Sequence, residues 1–223
     1  MSTPVPFDAV LFDLDGTLVD SAADLAEAAN HLRRLRGLPG LPLESYRAMT
    51  GAGARGLIGV ALGLSPGDAE FEACKQIFLD SYASALAVHT RLFARIDAVL
   101  VRIESSGRPW GIVTNKAERF ALPLVQALEL SHRAAVVIGG DTTPHPKPAP
   151  DPLLEAARRL GLPPQRILYV GDDLRDVQAG QAAGMPTAAA TWGYLGEGEP
   201  VERWGADHLL HSPPDLLALL DLA

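Results

Sequence analysis

The chain has 223 residues, of which 48% are hydrophobic and 21% are charged, the balance of an ordinary globular protein rather than a disordered one. Its net charge of -8 argues against a nucleic-acid surface, because binding to phosphate backbones requires a basic face. A chain of this length predicts one core with a sizeable insertion.

The cysteine content and the apolar runs indicate where the protein works. Cys74 is the only cysteine, and residues 1–7 lack the basic and then apolar layout of a secretion signal. Apolar runs such as residues 216–220 are much shorter than the roughly 20 residues that a membrane-spanning helix needs. We expect a cytoplasmic monomer or homodimer that binds small molecules, without nucleic-acid or membrane partners.

Short apolar segments predict the strands of a parallel α/β sheet, because helical patterns separate several of them. One such helix is predicted over Asp151–Leu160, with Asp151 as its N-cap, Pro152 at the first helical position and Gly161 after the last turn. The predicted strands are residues 7–12, 110–113, 135–138, 167–170 and 187–190, with 206–210 as a further candidate.

Residues 18–88 differ from the rest, because their apolar residues follow helical spacing and form no convincing strand. The insertion begins directly after the first predicted strand, so we expect an all-helical cap above the carboxyl end of the sheet, where such sheets bind ligands. The predicted domains are a core of residues 1–17 and 89–223 and a cap of residues 18–88. The first helical stripe consists of Leu25, Ala28, Leu32 and Leu35.

Two carboxylates, Asp13 and Asp15, stand directly beyond the first predicted strand, on a turn that Gly16 permits. Carboxylates this close repel each other, and such a pair persists where a cation or a catalytic role compensates the repulsion. The alternative is a solvated Asp-Gly turn. A calcium-binding EF-hand loop is excluded, because Thr17 and the residues after it lack the remaining ligands.

Polar residues follow the later strands as well. Thr114 and Asn115 come directly after residues 110–113 and would face the same crevice, although such a pair is also typical of a turn or a helix cap. Lys147 lies between two prolines that restrict its backbone, with an exposed loop lysine as the alternative.

A last acidic stretch follows the strand predicted at residues 167–170. The dipole of the following helix accounts for an acidic residue at Asp176, which lies in its first turn. It does not account for Asp172, which precedes that helix. Carboxylates and a backbone carbonyl are the hard oxygen ligands that Mg²⁺ prefers. We therefore predict a Mg²⁺ site formed by Asp13, Asp15 and Asp172.

The order of these four elements resembles the haloacid dehalogenase superfamily, with its D-x-D-x-T motif, its strand-end Ser/Thr, its Lys and its final acidic motif. The resemblance covers nearly the whole chain and implies a Rossmann-like core with a mobile cap. It implies that Asp13 is the nucleophile and Asp15 the general acid/base, and that Asp172 binds Mg²⁺. It also implies a phosphoryl site formed by Asp13, Gly16, Thr114, Asn115 and Lys147.

Within the superfamily the chain resembles phosphoglycolate phosphatase-like proteins, and more narrowly bacterial N-acetylmuramic acid 6-phosphate phosphatases. The matching segments are residues 51–55, 88–93, 114–116 with 119–120, and 204–207. The implied reaction is Mg²⁺-dependent hydrolysis of N-acetylmuramic acid 6-phosphate in cell-wall recycling, with 2-phosphoglycolate as the alternative substrate. One departure is Ala94-Arg95, which stands where many relatives carry Pro-Gly.

Other interpretations stay open at this point. Arg55 in the cap is a candidate for binding the non-phosphate part of the substrate, with a surface arginine at a helix start as the alternative. A phosphosugar mutase of the same fold and a non-catalytic metabolite sensor are rival functions. Residues 51–56 match G-x-G-x-x-G, but no buried strand precedes them, which argues against a dinucleotide site.

Overall fold

The computed structural model describes residues 7–196 and 198–222. Residues 1–6, which belong to the stretch considered for a secretion signal, lie outside the described residues. Eight strands occur in the described part of the chain, and six of them form one sheet. The strands are β1 (Ala9–Phe12), β2 (Val19–Asp20), β3 (Arg91–Leu92), β4 (Trp110–Val113), β5 (Val136–Ile138), β6 (Ile167–Gly171), β7 (Thr187–Ala190) and β8 (His208–Leu210).

Nine α-helices occur in the same described ranges, and none of them combines the length and the apolarity needed to cross a bilayer. The helices are α1 (Ala22–Leu35), α2 (Glu44–Arg47), α3 (Gly53–Leu62), α4 (Phe71–Ser84), α5 (Ile96–Ser105), α6 (Glu118–Ala127), α7 (Asp151–Leu160), α8 (Leu174–Ala183) and α9 (Asp215–Leu219).

The six-stranded sheet is entirely parallel, with the spatial order β5-β4-β1-β6-β7-β8. Strand β1 lies in the middle, where Leu11 stands opposite Gly111 of β4 and Tyr169 of β6. The carboxyl ends of these three strands therefore meet at one edge of the sheet, which is the edge at which the predicted site residues follow.

Both faces of the sheet are covered by helices. Because side chains alternate along a strand, Val10 and Phe12 of β1 pack with α5, α6 and α9, while Ala9 and Leu11 pack with α7 and α8 on the other face. Strands buried on both faces are apolar throughout rather than at every second residue. Continuous apolar segments in the sequence therefore predict these strands.

The strand predictions are confirmed, with small differences at the ends. The segments 110–113 and 187–190 have the predicted bounds, and the other four strands begin or end within two residues of them. Helix α7 also has its predicted bounds, but Asp151 is its first helical residue, and Pro150 takes the N-cap position. The predicted N-cap role of Asp151 is therefore wrong, and Pro152 is the second helical residue rather than the first.

Residues 22–84, all of which are described, contain α1–α4 and no strand. Their apolar side chains form a cluster of their own, which includes Leu25, Leu57 and Phe78, and Phe120 of α6 joins it from the sheet domain. A helical insertion after the first strand is thus confirmed. The exact division at residues 18–88 stays a prediction.

One element of the insertion was not predicted. Strand β2 pairs with β3 in a short antiparallel ribbon, with Val19 opposite Leu92. The ribbon joins the two chain segments that enter and leave the helical insertion. Since β2 lies within residues 18–88, the all-helical description holds for residues 22–84 only.

Candidate active site

Asp13 and Lys147 form the centre of the site at the carboxyl edge of the sheet. Lys147 Nζ lies 3.0 Å from Asp13 Oδ1 and 2.7 Å from Asp176 Oδ1. The Lys147 residue is only 4% exposed, so its ammonium group is held in place by protein atoms rather than by water. Burial alone would lower the pKa of Lys147, but the adjacent Asp13 and Asp176 carboxylates raise it, so the group is a permanent cation.

The Lys147 ammonium donates hydrogen bonds to three partners. These are the carbonyl oxygen of Val113 at 3.0 Å, the hydroxyl of Tyr169 at 2.8 Å and Asp176 Oδ1. Asp13 Oδ1 forms an ion pair with this ammonium group, but no contact from the described residues has the geometry of a hydrogen bond to it. A buried carboxylate oxygen in this condition favours a bound cation or a reacting group.

The backbone of Lys147 is held by the side chain of Asn115. The Asn115 amide donates to the Lys147 carbonyl oxygen and accepts from the Lys147 N–H, with both contacts at 2.9 Å. The proline-flanked loop is thereby tied to the second residue after β4. Thr114 is buried beside it, and its hydroxyl accepts a hydrogen bond from the N–H of Lys116 at 3.2 Å.

Asp13, Asp172 and Asp176 form the carboxylate cluster, in which one oxygen of each lies within 4.8 Å of the others. Burial, opposed by Lys147, raises the pKa of Asp13 to about 6. Burial and the charge of Asp13 raise the pKa of Asp172 well above its usual value. Like charges this close repel one another, and a divalent cation would remove that repulsion.

The residues of this cluster fit Mg²⁺. They offer hard oxygen ligands, and one of them has the unpaired buried oxygen described above. The orientation of Asp172 is set by Thr17, whose hydroxyl donates to Oδ1 at 2.8 Å, and by the N–H of Tyr194, which donates to Oδ2 at 2.8 Å. Asp176 was predicted only as a helix-terminus acid, so its place in the cluster was missed.

Gly16 makes room for Asp172. Its φ of 90° lies in the region that side chains rarely adopt, and a Cβ atom there would stand 2.1 Å from Asp172 Oδ2. The turn after Asp15 therefore needs glycine for both conformation and space. This requirement couples the first acidic motif to the last one.

Asp15 lies outside the carboxylate cluster and has a different partner. Its two oxygens lie 3.0 and 2.9 Å from Lys116 Nζ, and the hydroxyl of Ser21 also donates to it. The Lys116 ammonium lies 4.8 Å from the ring centre of Tyr82, which belongs to α4 of the cap. Lys116 belongs to a segment that matches the family, but nothing in the sequence predicts its pairing with Asp15.

A cavity of about 330 Å³ connects these groups with the cap. It is lined by Asp13, Asp15, Thr114, Asn115, Lys116, Lys147 and the acidic residues of the last motif. Its apolar wall consists of Leu25, Phe78, Leu79, Tyr82 and Phe120. Arg55 lines a neighbouring cavity instead, whereas Arg119 and Arg175 line this one.

Comparison with known proteins agrees with the motifs. Residues 10–190 match the family model described as haloacid dehalogenase-like hydrolase. The chain belongs to this family. It is 41% identical over 215 residues to the N-acetylmuramic acid 6-phosphate phosphatase of Pseudomonas aeruginosa, covering 96% of this chain and 95% of that protein.

Two further relatives belong to the phosphoglycolate phosphatase-like group. The phosphoglycolate phosphatase of Xanthomonas campestris pv. campestris is 45% identical over 209 residues, covering 93% of this chain and 94% of that one. A crystal structure described as a predicted phosphoglycolate phosphatase from Haemophilus somnus 129PT superposes with a TM-score of 0.84 at 29% identity, covering 96% and 97%. The predicted fold class and family are confirmed, and the protein is a phosphoric monoester hydrolase.

Proposed function

We propose that this haloacid dehalogenase-like phosphatase hydrolyses N-acetylmuramic acid 6-phosphate through a covalent phosphoaspartate on Asp13. The observation that carries the proposal is the buried Lys147 ammonium, which forms an ion pair with Asp13 Oδ1. A phosphate monoester repels a carboxylate, and a fixed cation beside that carboxylate reduces the repulsion.

In the first step an oxygen of Asp13 forms a bond to phosphorus while the bond from phosphorus to the sugar oxygen breaks. Asp15 donates its proton to that leaving oxygen, so the sugar departs as a neutral alcohol. Lys147 and the donors at Thr114 and Asn115 neutralise and orient the phosphoryl oxygens. Gly16 keeps the turn close enough for Asp15 to reach the leaving group.

In the second step Asp15 takes a proton from water, and the water oxygen attacks phosphorus. The bond between phosphorus and Asp13 breaks, which releases inorganic phosphate and restores the carboxylate. The ion pair between Lys116 and Asp15 supports this role, because the ammonium group holds the Asp15 carboxyl group in a fixed position beside the cavity.

We infer that Mg²⁺ is the cofactor. Asp13 and Asp172 would hold it, together with a backbone carbonyl after β1, and Asp176 completes the acidic surroundings. When bound, the ion supplies positive charge to the phosphoryl oxygens. The carboxylate of Asp15 is engaged by Lys116, so we assign Asp15 to proton transfer and its backbone to the metal site.

The composition of the cavity wall favours the sugar substrate over 2-phosphoglycolate. Leu25, Phe78, Leu79 and Phe120 offer apolar surface that suits a sugar ring and an N-acetyl methyl group. A two-carbon acid would leave most of that surface without a partner. Turnover of this sugar phosphate would place the protein in cell-wall recycling in the cytoplasm. In this proposal residues 18–88 act as a cap that opens to exchange substrate and product.

A substrate panel tests the proposal. The values of kcat/KM for N-acetylmuramic acid 6-phosphate and 2-phosphoglycolate are compared with Mg²⁺ and then with EDTA, and a bisphosphate activator is added to detect mutase turnover. We expect the sugar phosphate to be preferred, EDTA to stop turnover and the activator to have no effect. The Asp13→Asn variant is expected to release no phosphate while it keeps its fold, and phosphate release by this variant would contradict the proposal.

A further inference from the structure

The cavity of about 330 Å³ is lined by four cationic side chains. Three of them are paired with carboxylates of the same cavity. Lys116 pairs with Asp15, Lys147 with Asp13, and Arg175 donates to both oxygens of Asp173 at 2.8 and 2.7 Å. The fourth is Arg119, which forms no ion pair and no hydrogen bond with any residue that the structure describes.

Arg119 is held beside the cavity by stacking rather than by an acid. It lies in the first turn of α6, directly after the loop that carries Thr114, and its guanidinium carbon is 4.6 Å from the ring centre of Phe120. An aromatic ring orients a guanidinium group without neutralising its charge. The adjacent Glu118 accepts a hydrogen bond from Thr142 and is therefore engaged elsewhere.

We propose that Arg119 binds a carboxylate on the substrate, so that the enzyme selects phosphate monoesters that also carry a carboxylic acid. The inference rests on the proposed phosphatase site, and it adds a second anion subsite beside the phosphoryl site. A guanidinium fork matches a carboxylate through two parallel hydrogen bonds. N-acetylmuramic acid 6-phosphate carries such a group on its lactyl ether.

The same geometry distinguishes Arg119 from Arg55, the arginine that the sequence suggests for this role. Arg55 lies on the helix α3 and faces the neighbouring cavity between α3 and α8, away from Asp13 and Lys147. A carboxylate on a substrate whose phosphate lies at Asp13 would therefore meet Arg119 first.

Pairs of substrates that differ by the carboxylate test this proposal. One pair is N-acetylmuramic acid 6-phosphate and N-acetylglucosamine 6-phosphate, which lacks the lactyl group, and the other is 2-phosphoglycolate and ethyl phosphate. The ratio of kcat/KM within each pair is measured for the wild type, Arg119→Met, Arg119→Lys and Arg55→Met. Arg159→Met serves as a matched control, because Arg159 is on α7 and pairs with Glu155 outside the cavity.

We expect the wild type to have a higher kcat/KM for the substrate that carries the carboxylate in at least one pair. Arg119→Met should reduce this preference about 10- to 100-fold, mainly through KM. Arg119→Lys should lose less, since it keeps the charge without the fork. Arg55→Met and Arg159→Met should keep the wild-type ratio. The methionine retains an apolar stem over Phe120, and thermal unfolding checks that each variant is folded.

Two results would overturn the assignment of Arg119. One is a wild type without preference in either pair, and the other is an Arg119→Met variant that keeps the wild-type ratio, including by an equal loss on both members of a pair. A preference in the phosphoglycolate pair alone would support Arg119 and would contradict the sugar substrate proposed above. Release of phosphate from none of the four esters would contradict the proposed function itself.

Discussion

The carboxyl edge of the sheet and the cap wall form opposite sides of one cavity, and they are built in different ways. At the sheet edge, Lys147, Asp172 and Asp176 are buried and held by several hydrogen bonds each. On the cap side, Leu25 and Phe78 contribute apolar surface without directional contacts. The edge is suited to fix reacting groups, whereas the wall is suited to admit substrates of different shapes.

This difference predicts where mutations have large effects. A buried charge loses its partner completely when the partner is removed, because no water replaces it. An apolar wall loses only a share of its contact area. We therefore expect changes at the edge to abolish activity and reduce stability, and changes beyond it to have smaller effects.

The largest effect is expected for Lys147→Met. The change leaves Asp13 and Asp176 buried without their cation, so the free energy of unfolding should fall by about 3–5 kcal/mol, and phosphate release should be lost. Urea unfolding in EDTA measures the first quantity. Lys75→Met is the control, because Lys75 is exposed on α4 and forms only a surface ion pair with Glu72. An equally stable Lys147→Met protein would contradict the account of the edge.

The pH dependence of stability tests the charge conflict in the carboxylate cluster. Burial raises the pKa of Asp13 from 3.8 to about 6, so the folded protein binds this proton more tightly than the unfolded chain does. The stability of the metal-free wild type relative to Asp13→Asn should therefore decrease as pH rises from about 4 to about 6, by up to about 3 kcal/mol.

Chemical unfolding of both proteins in EDTA at several pH values measures this difference. Mg²⁺ favours the ionised carboxylate, so the ion should stabilise the wild type at pH 7 more than it stabilises the variant. A relative stability that increases with pH would contradict the raised pKa of Asp13.

Lys116→Met tests the contact between the edge and the cap. Without the ammonium, Ser21 is the one side-chain partner of Asp15 left in the described part of the chain, so we expect kcat to fall about 10- to 100-fold with less change in KM. The loss should be larger for a sugar phosphate than for p-nitrophenyl phosphate, whose leaving group needs no proton. Equal losses on both substrates would indicate a structural role for Lys116.

The smallest effect is expected at Arg95, between the cap and α5. Arg95 has a φ of 71°, which costs a residue with a Cβ atom about 1 kcal/mol. Arg95→Gly should raise the free energy of unfolding by up to about 1 kcal/mol. Arg95→Ala keeps the Cβ atom and should bring no such gain, and thermal unfolding compares the two.

The sequence predicts the edge well because strand ends are local features. Asp13, Thr114 and Asp172 each follow an apolar run directly, and a parallel sheet brings such positions together. The role of Asp176 in the site was missed because an acidic residue in the first turn of a helix is already explained by that helix. In the structure Asp176 accepts a hydrogen bond from Asp173 N–H and also contacts Lys147.

The cap contacts could not be predicted in the same way. Whether Arg55 or Arg119 faces Asp13 depends on how α3 and α6 pack, and no spacing within the sequence encodes that packing. The pair β2–β3 joins segments about 70 residues apart through two residues each, which is too short for a periodic pattern. The Pro-Gly pair of many relatives marks position 95 in the sequence, but the positive φ of Arg95 is known only from the structure.

Rapid mixing of the Asp15→Asn variant with p-nitrophenyl phosphate and Mg²⁺ tests the central claim most directly. This leaving group departs without a proton, whereas the second step still needs Asp15 to activate water. We predict a burst of one nitrophenol per enzyme, followed by slow turnover, and a phosphoryl group on the peptide that contains Asp13 after an acid quench. Phosphate release without any phosphorylated Asp13 peptide would contradict covalent catalysis at this residue.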